Sequence, residues 1–238
     1  MAKKWVCILL GGIMMTTMAA CGNMANSTGS NSQESSVMAY GGSEESSAFE
    51  TPESTESVEI SRMEDSTGNS VVYMTADISP EGLIAVYDAL GWAPTGNAAV
   101  KLSTGEPPAS NYLRPELIAD LVQSVNGTIV ECNTAYGGSR AETAMHYQVA
   151  EDHGFTAIAP FQIQDENGSM TLPVEGGTRL TKNYVGAAFA DYDSYLVLSH
   201  FKGHSMAGFG GAIKNISIGL GSSEGKAWIH SGGTSRTS

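Results

Sequence analysis

Basic side chains are scarce: the 238 residues carry 12 lysines and arginines against 25 aspartates and glutamates, a formal net charge of −13. Such a chain lacks the cationic surface that neutralises phosphates, and no basic patch stands out, so nucleic acid is not an expected partner. Cysteine is limited to three, and an iron–sulfur cluster asks for about four thiolates, so no such cluster fits within this chain. Long apolar runs are missing too. The longest covers residues 6–20, short of the roughly 20 apolar residues that cross a bilayer. The HExxH pattern is absent, which removes the usual general base of zinc peptidases. A Walker A loop is also absent: around Gly225-Lys226 its required glycine and hydroxyl positions hold Leu220 and Ala227. What is present is a 41% hydrophobic fraction, enough for one core, and 28 glycines, suited to tight turns and close backbone approaches.

Composition divides the chain into three. Lys3 and Lys4 precede the apolar run, which ends in Ala19-Ala20 before Cys21 and Gly22, the layout of a secretory signal over residues 1–21. Met18-Ala19-Ala20-Cys21 resembles a bacterial lipobox, so Cys21 is expected to be acylated and to become the mature N-terminus. Bacterial lipoproteins of this kind carry at least two acyl chains, enough for stable anchoring. The expected location is the cell membrane, lipid-anchored on its extracytoplasmic face. With Cys7 cut away and Cys21 acylated, only Cys132 stays free and no intramolecular disulfide can form. Residues 22–70 are rich in Ser, Glu, Thr, Gly and Asn, with nine acidic residues and only Arg62 to oppose them. Too little apolar surface is present to offset ordering entropy, so this stretch reads as a disordered acidic linker. Its root-mean-square reach is about 35–42 Å.

Residues 71–238 read as the folded domain, with net charge −7. Strands are predicted at 71–76, 98–102, 128–132 and 195–199. Helices are predicted from Ser79-Pro80-Glu81 to Leu90, from Pro115 to Val125, and over 141–152. This alternation predicts an α/β layered domain on a largely parallel sheet. Ligands of such sheets bind beyond the carboxyl ends of the strands, which directs attention to the loops 103–108, 133–140 and 200–211.

The third loop is the richest. His200, Lys202 and His204 stand together, Gly203, Gly208, Gly210 and Gly211 leave the backbone open, Lys214 follows, and His230 lies downstream. Imidazole suits Zn, Ni, Cu and Fe, so His200 and His230 are candidate metal ligands, while His204 and Lys202 are candidate acid/base groups. Gly208, Gly210, Gly211 and Lys214 are candidates to hold a nucleotide-like cofactor or a small anionic ligand. His146 and His153, on the predicted helix, read as structural. Cys132 reads as a small core residue because no activating partner is visible.

Three segments carry a resemblance: 100–107 (VKLSTGEP), 127–138 (GTIVECNTAYGG), and SHFKGH at 199–204 continuing to GGAIKN at 210–215. They look like the bacterial and archaeal family numbered 362 among domains of unknown function. Members are often described as iron–sulfur proteins because some carry a ferredoxin-like cysteine cluster, which this chain lacks. Such domains usually continue beyond the point where this chain stops after His230, so a C-terminally truncated domain is expected.

The order His204, Lys214, His230, with Gly-Gly before the lysine, is also distantly similar to the nickel-pincer nucleotide site of lactate racemase. That similarity implies Lys214 as the covalent attachment point, His230 as a nickel ligand and His204 as the proton shuttle. Two loops depart from it, since Ser139 stands where a second catalytic histidine is expected and 103–107 offers no substrate-binding arginine. Lactate is therefore not the expected substrate. Two classes stay open at this point: an exported enzyme using a divalent metal or nucleotide-like cofactor at 200–230, and a tethered accessory module for ligand binding, partner binding or electron transfer.

Overall fold

The structure, a computed structural model, describes residues 4–10, 57–64, 71–108 and 110–237. Four parallel strands form its centre in the order β9-β4-β5-β6: β4 (Ala98–Lys101), β5 (Thr128–Glu131), β6 (Phe161–Ile163) and β9 (Ser194–His200). A further strand, β1 (Lys4–Leu10), runs parallel along the outer edge of β9, from Lys4 opposite Ser194 to Leu10 opposite His200. The α/β expectation therefore holds. The reason is visible in the burial: β4 is buried at every position and β9 at all but its last, as strands covered on both faces must be.

Alternation along these strands divides two cores. Val100, Leu102, Ile129, Leu196 and Leu198 face α1 (Pro80–Ala89), α2 (Pro115–Ser124) and α3 (Thr143–Asp152). Ala99, Val130 and Tyr195 face the opposite way, toward Val185, Phe189, Tyr192 and Leu220. Helix signals act as read. The Ser79 hydroxyl accepts from the Gly82 N–H at 2.9 Å, and Pro115 opens α2. The left-handed residue after α2 is Asn126 (φ 48°), and α3 closes on Gly154 (φ 83°).

Three features depart from the sequence reading. The strand β3 (Val71–Met74) does not join the main sheet but pairs antiparallel with β2 (Ser61–Glu64), so ordered structure begins before residue 71. A second hairpin, β7 (Ser169–Pro173) with β8 (Lys182–Gly186), covers the Tyr195 face of the sheet; β7 does alternate polar and apolar, but over five residues that is too short a run to stand out from loop. The glycine-rich stretch after β9 folds as a hairpin, β10 (Lys202–His204) with β11 (Gly208–Gly210), before α4 (Ala212–Ser217) and α5 (Ser223–His230). Cys21 and residues 22–56 of the linker lie outside the described residues, as do residues 11–20 of the leader. Among the described residues no helix is long and apolar enough to cross a membrane.

Candidate functional site

The hairpin that leaves β9 brings His204 and Lys214 into contact. In the β10–β11 register His204 lies opposite Gly208 and Lys202 opposite Gly210, so glycines face both side chains and leave that face of the ribbon open. A side chain grafted at Gly208 would meet nothing within 4 Å. The His204 ring is fixed from behind, since its Nδ1 accepts from the backbone N–H groups of Met206 (3.2 Å) and Ala207 (3.1 Å). An Nδ1 that accepts leaves the proton of a neutral imidazole on Nε2. That Nε2 is hydrogen-bonded to the Lys214 Nζ.

The charges of this neighbourhood act on one another. Loss of solvent and the neighbouring Lys202 charge hold the Lys214 amine below the ordinary lysine value. Loss of solvent and the charges of Lys214, Lys202 and His230 hold His204 down as well. His230, the last residue of α5, is depressed by desolvation and then by Lys214 and Lys226. His204 and Lys214 are thus in contact, and the Lys214 charge acts on His230 as well.

Tyr136 was not singled out. Its hydroxyl is hydrogen-bonded to His230 Nδ1, and the two rings stack with centroids 5.4 Å apart. It belongs to the 133–140 loop that the carboxyl-end rule had indicated, so the loop was legible although the residue was not. His200 ends β9 half-buried, and its buried Nε2 has no partner among the described residues. Lys202 is exposed and donates to the Gly203 carbonyl at 3.4 Å. Gly208 and Gly210 bracket β11 and Gly211 caps α4, whose six residues make a shorter helix than an anion-binding terminus would favour. Among the described residues no three His, Cys, Asp or Glu side chains converge as a metal-ligand group.

A second cluster, buried at the ends of β4 and β5, was missed by the sequence. Glu131 accepts from the Thr104 hydroxyl (2.6 Å) and pairs with His146 Nε2 (2.9 Å), Arg140 (3.4 Å) and Lys101 (3.6 Å). Burial alone would raise its carboxyl, but Lys101, Arg140 and His146 hold it well below the ordinary value. Burial pushes Lys101 down to about 8, with Glu131 opposing. Arg140 also donates to Glu106 at 2.9 Å, and the Ser139 N–H donates to the same carboxylate at 2.6 Å. Residues 103–107 and 137–140 are therefore locked to each other. His146 and His153 are structural: His146 is fully buried in this network, and His153 donates to the Thr104 carbonyl at 2.7 Å while stacking on Tyr112.

Asn215 connects the two clusters. Its side chain accepts from Lys101 Nζ (2.9 Å) and donates to the Leu198 carbonyl (3.1 Å) and the Ser199 hydroxyl (2.8 Å), staking α4 to the ends of β4 and β9 beside Lys214. Burial pushes the Cys132 thiol up to about 12, and it donates to the Leu220 carbonyl at 3.5 Å, which suits a core residue. A polar cleft of about 230 Å³ opens nearby, lined by Asn133, Asp165, Ser169, Ser222, Ser223 and Glu224. Asp165 spans its floor, accepting from the N–H groups of Asn133 and Ser223 at 2.8 Å each. None of the cationic residues lines that cleft.

Residues 98–237 match the family described as Domain of unknown function (DUF362). The match takes in more than half the chain, including β4, β5, β9, the hairpin and both clusters, and the chain belongs to that family. No curated protein and no solved structure matches it.

Proposed function

We propose that this protein is an exported lipoprotein, anchored through Cys21, whose α/β domain is an enzyme holding a phosphate- or carbonyl-bearing group, a nucleotide-like cofactor or a metal complex of one, at His204, Lys214 and His230. The observation that carries the reading is a contact: two backbone N–H groups hold His204 Nδ1 as an acceptor, and its Nε2 is hydrogen-bonded to the Lys214 amine. A lysine held below its ordinary pKa beside a proton carrier gives up its proton more readily than a free surface lysine, and once deprotonated it can attack a carbonyl or hold an activated acyl or phosphoryl group. His204 then gives or takes the proton at Nε2, and Tyr136 orients His230 through Nδ1, leaving Nε2 of His230 for a metal or a substrate proton.

The nickel-pincer similarity fits these residues in part. Lys214, His204 and His230 meet the requirements for attachment, proton transfer and ligation, and such a group would supply hydride acceptance. The loops that would hold lactate do not fit: Ser139 stands where a histidine is expected, 103–107 has no arginine, and nearby Arg140 is paired with Glu106 and Glu131. The substrate is then some other small anion or carbonyl compound.

Intact-mass and metal analysis of the chain purified from its own membrane tests this. An adduct on Lys214, or a stoichiometric metal lost in the His230→Ala variant, is the expected result. Absence of both, with ligand-induced stabilisation unchanged in Lys214→Ala, contradicts it. The second reading, a non-catalytic binding or electron-transfer module, is favoured by the open glycine face of the hairpin. It expects ligand or partner affinity to survive alanine at both His204 and His230.

A further inference from the structure

The hairpin has a second face that the candidate site does not use. Side chains alternate across a strand, so Phe209, opposite Gly203, points away from the His204 side of the ribbon. Its ring lies 6.0 Å from that of Phe201. At the tip and just beyond, the apolar side chains are left in water: Met206 is 89% exposed, Ile213 84% and Phe209 58%. Single exposed apolar residues are ordinary, but three within eight positions, across the hairpin and the start of α4, are not scatter.

Charge adds a second, independent observation. In a chain with 25 acidic residues, none occurs from Ser194 to Ser223, and the charged side chains of that stretch are Lys202 and Lys214. Within residues 71–238 this is the longest stretch free of acidic side chains.

We propose that the tip formed by β10, β11 and the first turn of α4 docks on an anionic lipid bilayer. Met206, Phe209 and Ile213 enter the headgroup–acyl boundary, and Lys202, on the other face of the ribbon, stays at headgroup level with its ammonium against lipid phosphate. The acidic remainder of the chain is repelled by the same surface, which orients the molecule tip-down. Docking does not require the Cys21 anchor. Where the anchor is present, the linker is long enough to let the domain reach the membrane that holds it. The bound orientation also brings the open His204 face of the hairpin to the lipid–water interface.

The test is flotation of the full chain, carrying Cys21→Ser, with vesicles of phosphatidylcholine alone or mixed with phosphatidylglycerol. The companion variants are Met206→Ser/Phe209→Ser/Ile213→Ser and Lys202→Glu, all at exposed positions, with folding checked by thermal melts. The expected result is capture by the phosphatidylglycerol vesicles that weakens with salt, falls about tenfold in the triple serine variant, and falls by a smaller factor in Lys202→Glu. Capture that is equal in wild type and triple variant, which would place it in the leader, overturns the proposal. So does absence of capture by either vesicle, or capture indifferent to phosphatidylglycerol.

Discussion

Glu131 carries the charge balance of the buried cluster, with Lys101, Arg140 and His146 all turned toward it. Replacing it by glutamine leaves buried cations without their counter-charge, so Glu131→Gln is expected to cost about 3–5 kcal/mol in urea unfolding. The pH dependence follows from the direction of its shift. Glu131 binds its proton less readily folded than unfolded, so its stabilising contribution is complete above the ordinary value of 4.5 and is lost as pH falls through and below it. Lys101 works the other way. Its folded value of about 8 lies below the ordinary 10.5, so its charged form costs stability below about 8, and that cost is relieved as pH rises between the two values. Urea midpoints of wild type and Glu131→Gln should therefore converge in acid. A constant gap down to about pH 3 would contradict the assignment.

Elements place these side chains, and two of them can be tested directly. The α5 helix lies so close to β8 that a Cβ on Gly225 would stand 1.8 Å from the Tyr184 carbonyl oxygen. Gly225→Ala must push α5 outward, with an expected loss of about 1–3 kcal/mol and a changed environment for His230 at the helix end, readable in thermal melts and His230 NMR shifts. The strand β1 covers the outer edge of β9, yet it falls within the segment read as a leader. Removal of that leader opens the β9 edge, and hydrogen exchange in residues 194–200 is expected to be faster in the processed form than in an unprocessed Cys21→Ser chain. Equal protection would show that the edge is covered by something else.

The same elements show what the sequence could disclose. The strands β4, β5 and β9 were legible because their central positions are apolar on both faces, and α1 and α2 because Ser79, Pro115 and Asn126 punctuate them. The hairpin β10–β11 was not, since glycines at alternate positions erase the two-residue period. His204, Lys214 and His230 were legible by residue type, whereas Glu131, Lys101 and Asn215 lie on buried or short elements whose pairing depends on strand order. No local pattern announces which strand ends will be neighbours.

At the scale of the whole molecule the account joins a DUF362 domain, expected to be tethered through Cys21, to one cationic site beyond the carboxyl ends of its parallel sheet. The anchor predicts that the chain sediments with membranes, and that Cys21→Ser releases it or leaves it unprocessed with a larger intact mass. The site stands or falls on whether Lys214, His204 and His230 share one neighbourhood. NMR titration of the two imidazoles in wild type and in Lys214→Met measures that directly. With the lysine charge gone, both histidines should titrate at higher pH, moving up toward the ordinary 6.5 from which they are depressed, His204 more than His230. Titration curves that coincide in the two proteins would mean that the amine faces neither ring, and the proposed site would not exist.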